Sequence, residues 1–245
     1  MTFVEGFLTP VPTANKDEYL KHARGAVDLF KRLGATRFVE TWGDDVPDGK
    51  VNDLKQSVKL EDGETVLFSW LEYPDKATRD AANAKMMADP AMADMAKDMP
   101  FDGKRMIYAG FDSIVDTGPD AGGAEKPGYV DGYLIPVPAK NKEAYRAMAE
   151  KVSGLFKEFG ALRVVEAWGE DVPDGKVTDY NRATLKEDGE GVVYSWVEWP
   201  DKATRDAGWA KLMEDERMKP DGEMPFDGKR MMWGGFAPIL DEALA

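Results

Sequence analysis

Trp42-Gly43-Asp44-Asp45-Val46-Pro47-Asp48-Gly49-Lys50 returns 126 residues later as Trp168-Gly169-Glu170-Asp171-Val172-Pro173-Asp174-Gly175-Lys176. The match extends in both directions. Upstream, Val4-Glu5-Gly6-Phe7-Leu8 is repeated as Val130-Asp131-Gly132-Tyr133-Leu134. Downstream, Met99-Pro100-Phe101-Asp102-Gly103-Lys104-Arg105-Met106 is repeated as Met224-Pro225-Phe226-Asp227-Gly228-Lys229-Arg230-Met231. Two long copies describe one duplicated domain, because a solenoid needs many short repeats. The copies are expected at residues 1–115 and 128–245. Residues 116–127, rich in glycine, proline and polar side chains, read as a linker. Fully extended, such a dozen residues reach roughly 40 Å. That length lets the copies meet face to face at an effective concentration of order millimolar.

Within one copy the periodicities give an element order. Residues 3–11 alternate and are rich in β-branched and aromatic side chains, as a strand requires. Tyr19, Ala23, Ala26, Val27, Phe30 and Leu33 recur at helical spacing over 15–33, with Asn15 and Glu18 placed as a capping box and Gly34 as the stop. Residues 36–43 predict a strand. Residues 53–60 and 64–73 read as a hairpin through Asp62-Gly63. Asp75 caps a second helix running to about Asp89. A methionine-rich stretch suggests one more short helix, and 105–112 a last strand. The order β-α-β-β-β-α-β is a ferredoxin-like split pattern with one extra strand. Its helices cover one face of an antiparallel sheet, and the other copy is the natural cover for the second face. The fold class is therefore α+β, two ferredoxin-like domains with their sheets packed face to face inside one chain.

Composition narrows function. The chain has 245 residues, no cysteine, one histidine and a formal net charge of -14. Disulfides and thiolate metal sites are excluded, and a histidine-ligated metal centre has too few imidazoles. The acidic balance disfavours nucleic acid as a partner. No apolar run approaches the roughly 20 residues of a membrane span. The Met1-Thr2-Phe3-Val4-Glu5 start lacks the basic and apolar parts of a secretory leader, so a cytoplasmic location is expected. The acidic loop at 44–50 lacks the alternation of a calcium loop, and turn chemistry accounts for it. No metal or cofactor is expected.

Four acids stand among aromatic side chains. Phe38, Glu40 and Trp42 share one strand face, as do Phe68, Trp70 and Glu72. The second copy gives Glu166 with Trp168 and Glu198 with Trp196. If those faces coincide, Glu40 and Glu72, or Glu166 and Glu198, flank one pocket as catalytic candidates, because burial raises a carboxyl pKa towards that of a general acid or base. The alternative is a structural ion pair with Arg37 or Arg105. Trp42, Trp70, Trp168 and Trp196 are candidate ligand-binding walls. Lys104 and Arg105, with Lys229 and Arg230, could hold an anionic ligand. His22, replaced by Met148 in the second copy, reads as packing. The second helices differ, with Ala82 and Asn83 against Gly208 and Trp209, so one pocket is expected to be blocked or specialised.

The three repeated motifs, with Ser195-Trp196-Val197-Glu198-Trp199-Pro200, resemble the YbaA-like bacterial family of unknown function. That family is similar to the dimeric α+β barrel superfamily, which includes small monooxygenases, haem-degrading proteins and ligand-binding modules. The resemblance implies an intrachain barrel, a monomer acting as a pseudo-dimer, and no established catalytic residues. Function is expected to be small-molecule binding. The alternatives are a cofactor-independent oxygenase or isomerase using a pocket glutamate, and a structural or protein-interaction module.

Overall fold

A computed structural model describes residues 2–89, 99–118, 126–219 and 222–244. The first copy contributes β1 (Phe3–Pro12), α1 (Lys16–Arg32), β2 (Arg37–Asp45), α2 (Leu54–Ser57), β3 (Glu64–Tyr73), α3 (Lys76–Ala88) and β4 (Ile107–Asp116). The second gives β5 (Tyr129–Pro138), α4 (Lys142–Glu158), β6 (Arg163–Asp171), α5 (Tyr180–Ala183), β7 (Glu190–Trp199), α6 (Lys202–Glu214) and β8 (Met232–Ala243). The eight strands close into one barrel in the order β1-β3-β2-β8-β5-β7-β6-β4. The copies join at two antiparallel seams. At one, β2 runs beside β8 with Arg37 opposite Ala243; at the other, β4 runs beside β6 with Gly110 opposite Asp171. Closure leaves no free sheet edge.

Two local expectations change. Residues 53–60 form no strand. Leu54 and Val58 are four apart and both fully buried, a helical spacing, and the Asp53 side chain caps the turn by accepting from the Gln56 N–H. Asn15 makes no capping bond, and its side-chain amide donates instead to the Pro100 carbonyl at 2.9 Å. Asp75 does cap α3, accepting from the Thr78 N–H at 2.7 Å. The expected linker falls largely on residues outside the described ones, as does the methionine-rich stretch of the first copy. The matching segment of the second copy holds a single 3-10 turn at Glu216–Met218.

The barrel interior is one core shared by both copies. Val4, Phe68, Trp70 and Phe111 of the first pack with Val130, Tyr194, Trp196 and Phe236 of the second. The Phe68 and Tyr194 rings stack with centroids 4.2 Å apart. The repeated glycine of the β1 and β5 motif makes this possible. A Cβ at Gly6 would sit 2.9 Å from the Tyr194 ring, and one at Gly132 would sit 2.7 Å from Phe68. The long helices α1, α3, α4 and α6 pack on the outer face of the barrel wall over two further cores. Each of these is completed by the other copy through residues such as Leu240 and Val115, while Leu54 of α2 and Tyr180 of α5 join the interior core.

Candidate functional site

Alternation in β2 and β3 separates the candidate glutamates. Val39 of β2 and Phe68 and Trp70 of β3 point into the barrel, and Glu72 shares their face. Glu40 lies on the other face, under α1. Glu40 and Glu72 therefore do not flank one pocket, and neither do Glu166 and Glu198.

Glu72 and Glu198 belong to a crossed ion network at one end of the barrel interior. Arg163 grips Glu72 through two bonds of 2.8 and 3.0 Å. Arg37 grips Glu198 at 2.7 and 3.1 Å. Each arginine thus reaches into the other copy, and each has a second acid behind it, Asp241 for Arg37 and Asp116 for Arg163. Trp70 and Trp196 donate their indole N–H groups to Glu72 and Glu198. Their rings lie 4.5 Å apart and are fully buried. Burial alone would raise the Glu72 carboxyl, but the two guanidiniums override it and hold it below the usual range. Charges so completely paired serve architecture, holding the two copies together across the barrel interior.

The cationic turns are also committed. Arg105 forms a bidentate pair with Glu64, 2.7 Å on each side, and also binds Asp102. Arg230 repeats this with Glu190 and Asp227. Lys104 and Lys229 stand exposed at the turn tips. Trp42 and Trp168 lie on the outer face, each covered by a lysine from the start of a helix. Lys16 sits 5.0 Å from the Trp42 ring and Lys142 4.9 Å from Trp168. His22 meets Phe101 edge to face and lines an open groove of about 900 Å³ that also borders Arg105. Among the described residues no group of three or more histidine or acidic side chains is arranged to hold a metal ion.

Glu40 and Glu166 behave differently. The Tyr19 hydroxyl donates to Glu40 Oε2 at 2.7 Å, and Ser69 donates to the same oxygen. In the second copy Tyr145 donates to Glu166 Oε2 at 2.6 Å, with Ser195 as the other partner. Burial dominates both sites and pushes each carboxyl up to about 7, only partly offset by the hydroxyl donors. The two sites differ in access. Glu40 is only 7% exposed and does not line the open groove of its own half. Glu166 lines a cavity of about 580 Å³ between the barrel wall and α4. The walls are apolar, from Met148, Val152, Phe156, Trp209, Phe226 and Met231. That volume is in the usual range for a drug-sized ligand.

The difference between the second helices reaches this cavity. Trp209 lines it and donates its indole N–H to the buried Asp131 at 2.8 Å. Asn83 occupies the matching place in the first half and donates to Glu5 at 2.9 Å. Tyr133, also lining the cavity, carries a buried hydroxyl without a hydrogen-bond partner. The helical stripe of the sequence includes Tyr19, whose counterpart is Tyr145, and assigns neither hydroxyl a partner. One signal was available: a tyrosine in a buried stripe needs a partner for its hydroxyl. On the neighbouring strand face the glutamate was the acceptor at hand.

An eight-stranded barrel of two α+β halves, with acids under its outer helices, defines the dimeric α+β barrel class. Solved structures agree in fold. A candidate monooxygenase of Fusobacterium nucleatum subsp. nucleatum aligns over 99% of this chain and 94% of its own, with a TM-score of 0.59 and 10% identity. An anthrone oxidase-like protein aligns over 100% and 93%, with a TM-score of 0.58 and 12% identity. At such identities the likeness concerns fold alone. Sequence carries the assignment further. The chain belongs to the family described as protein of unknown function (DUF1428), whose model matches residues 2–103 and again 128–228. YbaA of Escherichia coli K12 is 61% identical over 115 residues, 46% of this chain and 98% of YbaA. The Shigella flexneri YbaA matches equally.

Proposed function

We propose that this protein is a small-molecule binding module whose working site is the cavity under α4, with the first half serving as its structural complement. The observation that carries this reading is the combination at one place of an apolar-walled chamber of about 580 Å³ and an acid lining it, Glu166, packed under the Tyr145 hydroxyl. Apolar walls provide affinity through area removed from water, and the acid orients what enters. The chain completes its barrel without a second molecule, which favours a monomer, and we place it in the cytoplasm.

The test is ligand-observed NMR with three bicyclic aromatics of one shape: 2-(1-naphthyl)ethanol, 2-(1-naphthyl)ethylamine and 1-naphthylacetate. At least one binds, and Met148→Trp, which fills the chamber from α4, abolishes binding while thermal unfolding of the free protein is unchanged. Binding of none, or binding indifferent to Met148→Trp, overturns the reading.

A second reading is favoured by the Glu166 carboxyl, which burial places at about 7. A cavity acid poised there suits proton transfer on a bound substrate, without a cofactor. Glu166→Gln then abolishes turnover and leaves ligand binding largely intact. Unchanged turnover of any substrate found would exclude it.

A further inference from the structure

Most buried carboxylates of this chain are paired with an arginine. Glu72 and Glu198 have Arg163 and Arg37. Asp131 has Arg205 at 2.8 Å, and Glu5 has Arg79 at 3.6 Å. Glu64 and Glu190 have Arg105 and Arg230. Asp179 has Arg182. Asp53 is held instead by the N–H groups at the start of α2 and of Gly49. Glu40, buried, and Glu166, half-buried, are held by hydroxyls, with no cation among the described residues in a salt bridge to either. Hydroxyl donors are weaker compensation for a buried negative charge than a guanidinium.

Glu40 is buried and lines neither described cavity. Glu166 faces a chamber large enough for a ligand. Resting on the small-molecule reading above, we propose that the cation missing beside Glu166 is supplied by the ligand, an amine borne on an apolar, aromatic-sized body. The ammonium would sit at the floor against the Glu166 carboxylate, and the body would lie among Trp209, Phe226, Phe156 and the methionines. Aromatic faces and thioethers accept such a body readily, and ring faces attract the charge itself.

Glu223 is the other acid lining the chamber, and it is exposed, whereas Glu166 is packed under Tyr145. Tyr145 from α4 and Ser195 from β7 already face Glu166, and Tyr133 from β5 is neutral there. At the mouth stand Lys151, Arg217, Lys219 and Glu223. Arg217 is held by Asp215 and Glu158, and Lys219 by Glu216. A formal net charge of -14 draws cations towards the chain.

Binding has a proton signature. Burial pushes the Glu166 carboxyl up to about 7, and pairing with an ammonium drives it to carboxylate. Amine binding near pH 7 therefore releases a fraction of a proton. Affinity rises as pH climbs through 7 and falls again only near the amine's own pKa, about 10.

The experiment is isothermal titration of the same three naphthalene probes in buffers of differing ionisation enthalpy, against wild type, Glu166→Gln and Glu40→Gln. In wild type the amine binds about tenfold or more tighter than the alcohol, as a charge-assisted bond implies, with proton release. Glu166→Gln abolishes both the preference and the release, and Glu40→Gln changes neither. Equal binding of amine and alcohol, or stronger binding of the acid, overturns the proposal while leaving the small-molecule reading intact. So does an amine preference that survives Glu166→Gln, which would place the reader at Glu223. Binding of no probe overturns both.

Discussion

Two pairs of glutamates, on neighbouring strands of the same barrel wall, live in opposite chemical regimes. Glu72 and Glu198 lie inside the barrel and share two arginines across the boundary between the copies. Glu40 and Glu166 lie on the outer face of the wall and receive only tyrosine and serine hydroxyls. The first region pairs its carboxylates with guanidiniums. The second holds an acid that burial pushes up to about 7, and in one copy that acid lines a chamber. Within one barrel wall, then, the inward face is locked by ion pairs and the outward face is not.

Removing one cation from the inner network is the most disruptive way to test that division. Arg163→Met leaves the buried Glu72 beside an apolar side chain, with only Arg37 at 3.5 Å as a cation, and takes the partner from Asp116. Breaking such a network by removing one partner costs on the order of 3–5 kcal/mol. Because Arg163 is in the second copy and Glu72 in the first, urea unfolding of this variant should stay a single transition shifted to lower denaturant. Two separated transitions would show that the copies unfold independently and that the crossed pairs do not join them.

The outer region is probed by pH. The Glu40 carboxyl titrates at about 7 in the folded chain, against about 4.3 in an unfolded one. The folded state binds the extra proton between those values. This contribution to stability is therefore fully present below about pH 4 and is lost as pH rises through 7. Glu40→Gln keeps a neutral side chain of similar shape, so it should match wild type near pH 4 and exceed it at pH 8. The gain should be of order 1–3 kcal/mol, read from urea midpoints at the two pH values. A variant less stable than wild type at pH 8 would mean that Glu40 is comfortably charged and that the two regions do not differ as argued.

The duplication and the ferredoxin-like order were legible because they rest on long repeats and on periodicities spanning whole elements. The strand faces were legible too: Phe68, Trp70 and Glu72 do share one, and Phe38, Glu40 and Trp42 do share another. Which face turns inward was not, because both are apolar where both sides of the sheet are covered. That single ambiguity merged two separate pairs of acids into one imagined pocket. At Leu54 and Val58, a short apolar pattern bounded by turns fitted strand or helix, and the Asp53 cap decides it for helix. The crossed arginines were out of reach for another reason. Arg37 was named as a partner for a glutamate, but its bidentate partner Glu198 lies 161 residues away in the other copy. Pairings of that kind come from barrel closure, which no local pattern encodes.

The smallest effect sharpens the contrast between the two outer sites themselves. Tyr133 and Phe7 occupy the same repeat position, and only the tyrosine carries a hydroxyl. That hydroxyl is buried and has no partner. An unpaired buried polar group costs stability, and replacing it with hydrogen relieves the cost. Tyr133→Phe, which installs the first copy's residue, should therefore be neutral or stabilising by about 0.5–1 kcal/mol, measured by urea unfolding without ligand. A loss of similar size would mean that the hydroxyl has a partner in solution, such as a water within the chamber. In that event Tyr133 would join Glu166 as part of the polar floor, and the second site would differ from the first in two groups rather than in access to one.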